Sequence, residues 1–105
     1  MFARVATFED VELEEVEKTA AAARERLGSL FDSIPGWRGA LDLADRSSGK
    51  VVSITLFDSD ENMNAAEPVF DEEMPRRLGE LMEGWAGRRT GVEHFEVIFE
   101  QLPSG

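Results

Sequence analysis

The sequence contains no cysteine and a single histidine, His94. The missing thiols exclude disulfide bonds and thiolate metal sites, and they fit a reducing compartment. One histidine, with carboxylates that lack recognisable ligand spacing, gives no residue set for a metal site. We therefore expect a cytoplasmic chain that holds no metal.

Positive charge and long apolar runs are also scarce. The 105 residues include 11 Lys and Arg against 22 Asp and Glu, which gives a formal net charge of −11. Nucleic acids and anionic membranes repel a chain this acidic, so we expect neither as a partner. No apolar run approaches the roughly 20 residues of a membrane span, and the opening MFARVATFED lacks the basic-then-apolar pattern of a signal peptide.

The clearest pattern in the chain is an alternation between Pro35 and Asp58 that is typical of a β-hairpin. Apolar residues recur at every second position in both arms, 37–44 and 51–57. The connection DRSSG supplies turn residues, and Gly49 is available for a positive φ angle.

Strand and helix patterns flank this hairpin on both sides. The sequence predicts a strand at Phe2–Phe8, a helix from an N-cap at Asp10 to the Pro35-Gly36 pair, and a last strand at Val92–Gln101. A second helical stretch contains two prolines, which predict a kinked or divided helix with pieces at 60–66 and from about 68. We expect a loop at 84–91 and a frayed tail at 102–105.

The resulting order, β-α-β-β-α-β, predicts a single α+β domain over residues 1–105 with a ferredoxin-like fold. In that fold a four-stranded antiparallel sheet carries two helices on one face, and right-handed crossovers place the first and third strands in the centre. We expect the aliphatic set Leu41, Leu43, Ile54 and Leu56 to point at the helices.

The second face of the predicted sheet has no helix to cover it. Aromatic residues left in water there would form an apolar patch of a kind that monomers seldom keep. The sequence therefore predicts a homodimer in which the sheets of two copies pack together. The expected interface residues are Phe2, Phe8, Asp42, Ser53, Thr55, Phe57 and Ile98.

Four segments carry a resemblance to a known family: ARVATFE near the start, PGWRGA at 35–40, SSGKVVSITLFDS after it, and VEHFEVI near the end. With these the chain resembles the antibiotic biosynthesis monooxygenase-like domain of the dimeric α/β-barrel superfamily. The resemblance implies a homodimeric barrel with a ligand cavity between sheet and helices in each subunit. Family members include cofactor-independent oxygenases of aromatic polyketides, haem-degrading enzymes and quinol oxygenases.

The residues that define the branches of this family differ from those found here. The haem-degrading branch uses an Asn on the first strand, a Trp and a helical His, whereas the first strand here has no Asn and His94 lies on the last strand. The polyketide-oxidising branch uses Asn, Trp and Arg. The candidates that the resemblance offers are Asn62, Trp37 or Trp85, and Arg4 or Arg38.

Two charged residues have two interpretations each. His94 is either a general base or a strand histidine that pairs with a carboxylate across the dimer interface. Arg4 either pairs with Asp42 or Glu96 on neighbouring strands, or binds an anionic or enolate oxygen of a ligand.

The remaining candidates are also open between ligand binding and packing. Trp37 and Trp85 either stack on an aromatic ligand or close the core at helix ends. The methionines of the second helix, Met63, Met74 and Met82, either line an adaptable pocket or fill the core. The Arg88-Arg89 doublet either binds an anion or lies on a solvated loop.

The sequence supports two hypotheses for function. In the first, the protein is a monooxygenase-like enzyme that oxidises an aromatic or quinol-type molecule without a cofactor. In the second, it is a non-catalytic dimeric module that binds a small apolar ligand or a protein partner. No nucleophile elbow, P-loop, dinucleotide fingerprint or zinc signature favours another chemistry.

Overall fold

The computed structural model describes residues 1–101 and 103. It contains four strands, four α-helices of different lengths and one π-helical segment. In chain order they are β1 (Phe2–Val11), α1 (Leu13–Ser33), β2 (Trp37–Asp45), β3 (Lys50–Phe57), α2 (Asp60–Ala65), a π-helical segment (Val69–Glu73), α3 (Met74–Leu78), α4 (Glu80–Trp85) and β4 (Ala86–Glu96). The ferredoxin-like α+β order is confirmed. The prediction for the tail at 102–105 falls largely outside the described residues.

The sheet is antiparallel with the strand order β2-β3-β1-β4, so the first and third strands occupy the centre as the crossover rule requires. Its register pairs Arg4 of β1 with Thr55 of β3 and with His94 of β4. Ser53 of β3 pairs with both Ala6 of β1 and Asp42 of β2. Residues that pair in this way share a face, so the register assigns the paired residues to one side of the sheet, with irregularities at Thr7/Phe8 and Trp37/Gly39.

The helices cover the side that carries Phe2, Arg4, Ala6, Phe8, Ala40, Asp42, Val51, Ser53, Thr55 and Phe57, which we call the helix face. Phe57 is fully buried there in a core cluster with Ile34, Met63 and Ala66. The other side, the open face, carries Val5, Leu41, Leu43, Val52, Ile54, Leu56 and Phe95. Leu41 and Leu43 are 48% and 49% exposed.

The expected assignment of the two faces is therefore wrong. Leu41, Leu43, Ile54 and Leu56 do not point at the helices, and Phe57 does not lie on an uncovered surface. Period-two alternation identifies which residues share a face, but the helices select a face through tertiary packing. Both faces contain large apolar residues, so the pattern alone did not distinguish them.

Several element boundaries also differ from the prediction, and the last strand ends at Glu96 and not at Gln101. Asp10 is not the N-cap of α1, because β1 continues to Val11 and Asp10 itself has a φ angle of 59°. The N-cap is Glu12, whose amide donates to the Trp85 carbonyl oxygen at 2.8 Å. The predicted loop at 84–91 is mostly the first half of β4, since pairing with the end of β1 overrides its glycine-rich composition.

The two turn glycines, Gly36 and Gly49, lie in turns as predicted. Gly36 has a φ of 73° after Pro35, and a Cβ there would approach Asp58 Oδ1 to 2.2 Å. Gly49, with a φ of 74°, ends the hairpin turn and accepts a hydrogen bond from the Val11 amide. Both positions require the left-handed region that glycine tolerates.

Within residues 1–101 and 103, the helices are all too short or too polar to cross a bilayer.

Candidate functional site

A cavity of about 490 Å³ lies between the helix face of the sheet and the helices. Its floor comes from β1, β2 and β3, one wall from α1, and its roof from the π-helical segment, α3 and α4. Most of the lining is apolar and includes Ala6, Phe8, Val51, Leu27, Phe31, Phe70, Met74, Leu78, Met82 and Trp85. A few polar side chains interrupt this surface, which is typical of a small-molecule site.

The roof owes its shape to two prolines. Pro68 immediately precedes the π-helical segment, and Pro75 lies in the first turn of α3. Each removes a backbone donor and clashes with the turn before it. Together with Gly79, whose φ of 53° separates α3 from α4, they divide one long helix into several short ones. This confirms the predicted divided helix. Phe70 and Met74 line the cavity from these pieces.

Arg4 is the most deeply buried charged group at the cavity, with 3% of its surface exposed. Its Nε donates to Glu67 Oε1 at 2.7 Å and its Nη2 to Glu67 Oε2 at 3.3 Å. The guanidinium carbon lies 3.9 Å from the centroid of the Phe70 ring, a cation–π contact. Nη1 has no hydrogen-bond partner among the described residues, so it remains available to a ligand oxygen.

Glu67 also contacts the only histidine, because its Oε1 lies 2.9 Å from His94 Nε2. Partial burial by itself raises the pKa of Glu67, but the hydrogen bonds from Arg4 and His94 outweigh it and hold the pKa below its ordinary range. The carboxylate thus stays ionised and compensates the buried guanidinium. A buried arginine without such a partner would be costly.

The cavity floor carries two hydroxyl groups and a carboxylate on adjacent strands. Thr55 is 4% exposed and Ser53 is half-buried, and both line the cavity from β3. Asp42 lines it from the edge strand β2, where it pairs in register with Ser53. Within the part of the chain that the structure describes, none of these three side chains has a hydrogen-bond partner.

A second ion pair lies at the rim. Arg89 Nη1 of β4 donates to Asp71 Oδ1 of the π-helical segment at 2.8 Å, and both residues line the cavity. Arg89 therefore ties the roof to the sheet. The prediction of a solvated loop for the Arg88-Arg89 doublet is replaced by a strand position for both residues.

The predicted ligand-binding residues divide into three groups. Arg4 and Trp85 line the cavity, and the Trp85 indole is fixed by a 2.7 Å hydrogen bond from its Nε1 to Thr19 Oγ1. His94 reaches the cavity only through Glu67. Trp37 packs on Phe31 with ring centroids 5.3 Å apart.

Asn62, the remaining candidate, is also away from the cavity lining. Its Nδ2 donates to Asp58 Oδ1 at 2.8 Å beside the Pro35-Gly36 turn, which is a structural position. The Trp37 indole Nε1 is buried without a hydrogen-bond partner among the described residues. Asn62 therefore does not meet Arg4 or Trp85 at the cavity. The Asn62 hydrogen bond and, to a smaller extent, the charge of the candidate Arg38 lower the pKa of Asp58 instead.

Six of the seven predicted interface residues lie on the helix face instead, and the placement of Ile98 at an interface stays a prediction. Phe8, Asp42, Ser53 and Thr55 line the cavity, and Phe2 and Phe57 belong to the core or pack against it. Ile98 follows β4 and is 92% exposed. The prediction that Arg4 pairs with Asp42 or Glu96 is likewise wrong. Its partner Glu67 comes from the segment before Pro68, and no local pattern indicated that this segment crosses over β1.

Several solved structures share this fold. A monooxygenase of Streptomyces coelicolor, in complex with the ligand nanaomycin D, superposes with a TM-score of 0.65 at 22% identity over 98% of this chain and 92% of that one. A dimeric ferredoxin-like protein from an uncultured marine organism superposes with a TM-score of 0.67 at 15% identity, over 98% of this chain and 100% of that one. The chain has an antibiotic biosynthesis monooxygenase-like fold.

A third structure of this fold comes from Bordetella bronchiseptica, and its assignment as an antibiotic biosynthesis monooxygenase is provisional. It superposes with a TM-score of 0.62 at 16% identity, over 93% of this chain and 97% of that one. No protein-family model matches the chain, and no curated protein matches its sequence significantly. At these identities the likeness describes the fold, and the monooxygenase-like fold leaves the choice of reaction to the site.

Proposed function

We propose that the protein is a homodimeric, cofactor-independent monooxygenase that oxidises a neutral, polycyclic phenol, anthrone or quinol. The observation that carries this proposal is the apolar cavity of about 490 Å³ with the buried Arg4 guanidinium in its floor. The volume falls in the range of small-molecule sites, roughly 300–1,000 Å³. Phe70, Met74 and Leu78 line this space and do not fill it, as they would in a purely structural core.

The cavity suits a flat, neutral ligand. Its two cationic side chains are each engaged by a carboxylate, Arg4 by Glu67 and Arg89 by Asp71. The protein as a whole carries a net charge of −11, which disfavours anions from solution. Aromatic surface is available from Phe8, Phe31, Phe70 and Trp85. The structural neighbour from Streptomyces coelicolor, which holds nanaomycin D, supports a small-molecule ligand in this fold.

The proposed reaction needs little from the protein beyond the cavity and its polar side chains. Loss of a proton from an activated methylene leaves an electron-rich anion, whose negative oxygen Arg4 Nη1 can stabilise by hydrogen bonding. The anion reduces O2 and forms a carbon–oxygen bond, giving a peroxide that takes up the proton. The peroxide then loses water and becomes a carbonyl, so that one methylene group and one O2 yield one carbonyl group and one water. The largely apolar lining limits the contact of these intermediates with water.

The dimer would form through the open face. Leu41, Leu43 and Phe95 are each about half exposed there, although all three are large apolar residues. Packing against a second copy would bury them and close two sheets into a barrel. The dimeric state of the ferredoxin-like neighbour supports a dimer.

Binding and turnover can be tested in one sample. The Trp37→Phe variant leaves Trp85, which lines the cavity, as the only indole. Anthrone added under argon should quench its fluorescence saturably, and admission of O2 should then consume one O2 per anthrone oxidised to anthraquinone. Absence of both signals over the buffer rate would refute the proposal. Quenching without O2 uptake would instead support a non-catalytic binding module.

A pair of variants tests whether the cavity is the site. Ala40 lines the cavity from β2, whereas Ala44, on the same face of the same strand, does not. We expect Ala40→Phe, in the Trp37→Phe background, to abolish both quenching and O2 uptake by occupying the opening, and Ala44→Phe to leave both within about twofold of the parent. Equal effects of the two variants would place the ligand elsewhere.

A further inference from the structure

Four ionisable side chains line the cavity, and one of them differs from the others. Arg4 is paired with Glu67, and Arg89 with Asp71. Asp42 forms no ion pair or hydrogen bond with any other residue that the structure describes. It is therefore the carboxylate at the cavity whose oxygens are not already committed to a cation.

The position of Asp42 relative to Arg4 is set by the sheet. Asp42 pairs in register with Ser53, which pairs with Ala6, two residues along β1 from Arg4. Two strand spacings and two residues of rise separate the Cα atoms by roughly 12 Å. Both residues line the cavity, Arg4 buried at the central strand and Asp42 exposed at the edge strand, so they can contact opposite edges of a flat ligand.

Between them lie the two hydroxyl groups of β3. Thr55 shares its row with Arg4, and Ser53 shares its row with Asp42. Only 4% of Thr55 is exposed, and its hydroxyl has no partner among the described residues. The hydroxyl oxygen itself retains contact with the cavity, where a ligand or water can bond to it. The floor thus presents donors at one end and a carboxylate acceptor at the other.

We propose that Asp42 is the catalytic base that removes the proton from the bound substrate. A ligand carbonyl or hydroxyl oxygen binds Arg4 Nη1 and Thr55 Oγ1, and its acidic C–H or O–H group faces Asp42. That bond breaks, the proton moves to a carboxylate oxygen of Asp42, and the electron pair stays on the substrate. Asp42 later returns the proton to the oxygen that leaves as water. This assignment rests on the proposed monooxygenase function and names its substrate class as molecules with an acceptor and an acidic hydrogen on opposite edges.

His94 is the alternative base among the described residues, and its contacts argue against it. Its Nε2 is held 2.9 Å from Glu67 Oε1, and it does not line the cavity. It therefore positions Glu67, and through Glu67 the guanidinium of Arg4. The proposed base, Asp42, is thus a residue that the sequence predicts at the dimer interface.

The test compares three variants on anthrone, whose carbonyl and acidic methylene lie on opposite edges of its central ring. Asp42→Asn keeps the shape of the side chain and removes its basicity. We expect kcat for O2 uptake to fall by about 10²–10³-fold, with the anaerobic dissociation constant within about threefold of the parent. Asp32→Asn, at an exposed position on α1, should leave both unchanged.

Two further readouts separate a base from a residue that only shapes the cavity. In Asp42→Ala, added formate should restore turnover in proportion to its concentration, because a small carboxylate can occupy the vacated space. Anthrone deuterated at the methylene should show a larger isotope effect on kcat in Asp42→Asn than in the parent. A structural role would respond to neither.

The outcomes distinguish the two proposals. Parent turnover that Asp42→Asn leaves within threefold would overturn the role of Asp42 while the monooxygenase function stands. A loss of turnover in Asp42→Ala that formate does not rescue would also overturn it. No turnover and no quenching in the parent would overturn the proposed function itself, and the assignment of Asp42 with it.

Discussion

Glu67 holds the guanidinium of Arg4 with both carboxylate oxygens, at 2.7 Å from Nε and 3.3 Å from Nη2. The pair joins the segment before the π-helical turn to the central strand β1, directly under the cavity roof. Because Arg4 is almost fully buried, this contact matters both for the stability of the fold and for the direction of the remaining Nη1 donors.

Loss of the carboxylate should therefore destabilise the protein. We expect Glu67→Gln to lower the free energy of unfolding by about 3 kcal/mol, the lower end of the range for breaking a buried pair, since Glu67 is partly solvated. Urea denaturation followed by circular dichroism measures the change. Glu72→Gln, at an exposed position of the π-helical segment that follows, is the matched control and should change stability by less than about 0.5 kcal/mol. Similar losses in both variants would contradict a special role for Glu67.

The same pair predicts a pH dependence. The pKa of Glu67 is lowered in the folded state, because its hydrogen bonds with Arg4 and His94 exceed the opposing effect of burial. A lowered pKa stabilises the fold at every pH above the unfolded value of about 4.3, and that stabilisation is lost as the pH falls through the folded-state pKa. The stability difference between the parent and Glu67→Gln should be constant from about pH 7 to pH 5 and shrink below that. A difference that grows on acidification would have the wrong sign.

The open face predicts how the dimer can be broken. Leu43→Asp places a charge on the apolar surface that we propose to be buried between two copies. We expect light scattering to show a halved mass at micromolar concentration, with unchanged circular dichroism. Ala44→Asp, the next residue on the opposite face of the edge strand, should keep the mass of the parent. A dimer that survives Leu43→Asp would place the interface elsewhere.

Substitution of Gly36 should lower the stability of the fold, whereas substitution of Gly28 should not. Gly36→Ala forces a left-handed φ of 73° on a residue with a Cβ, which costs about 1–2 kcal/mol, and the added carbon meets Asp58 and Asn62. We expect thermal unfolding to shift downward by several degrees. Gly28→Ala, inside α1 with no atom within 4 Å of the new carbon, should raise stability by about 0.5–1 kcal/mol. Equal shifts for both substitutions would contradict this account.

Features encoded by local sequence were predictable, and features set by packing between elements were not. The order of elements, the central strands, the turn glycines and the divided helix all follow from periodicity, Gly and Pro. The face that the helices cover does not, because residues such as Leu43 and Phe57 are equally suited to either side. The partnership of Arg4 with Glu67 depends on where a helix segment crosses the sheet, and a separation of 63 positions along the chain carries no local signal for it.

For the same reason the cavity was predicted in position but not in composition. The resemblance implied a pocket between sheet and helices, and Arg4 and Trp85 do line it. Asp42, Ser53 and Thr55 were assigned to the interface because their face was assigned wrongly. A correct choice of face would have placed all three on the cavity floor, since the register among them was readable from the hairpin.

The divided roof also determines which part of the protein should exchange its amide hydrogens first. Its pieces are five or six residues long, and isolated helices of that length are not stable in water. Their order depends on side-chain contacts with the sheet, so they should open locally at a fraction of the free energy that unfolds β1 and β3. A ligand that packs on Phe70 and Met74 would add contacts in the closed state alone. Its affinity would then be measurable, without any turnover, as slower deuterium uptake confined to residues 69–85.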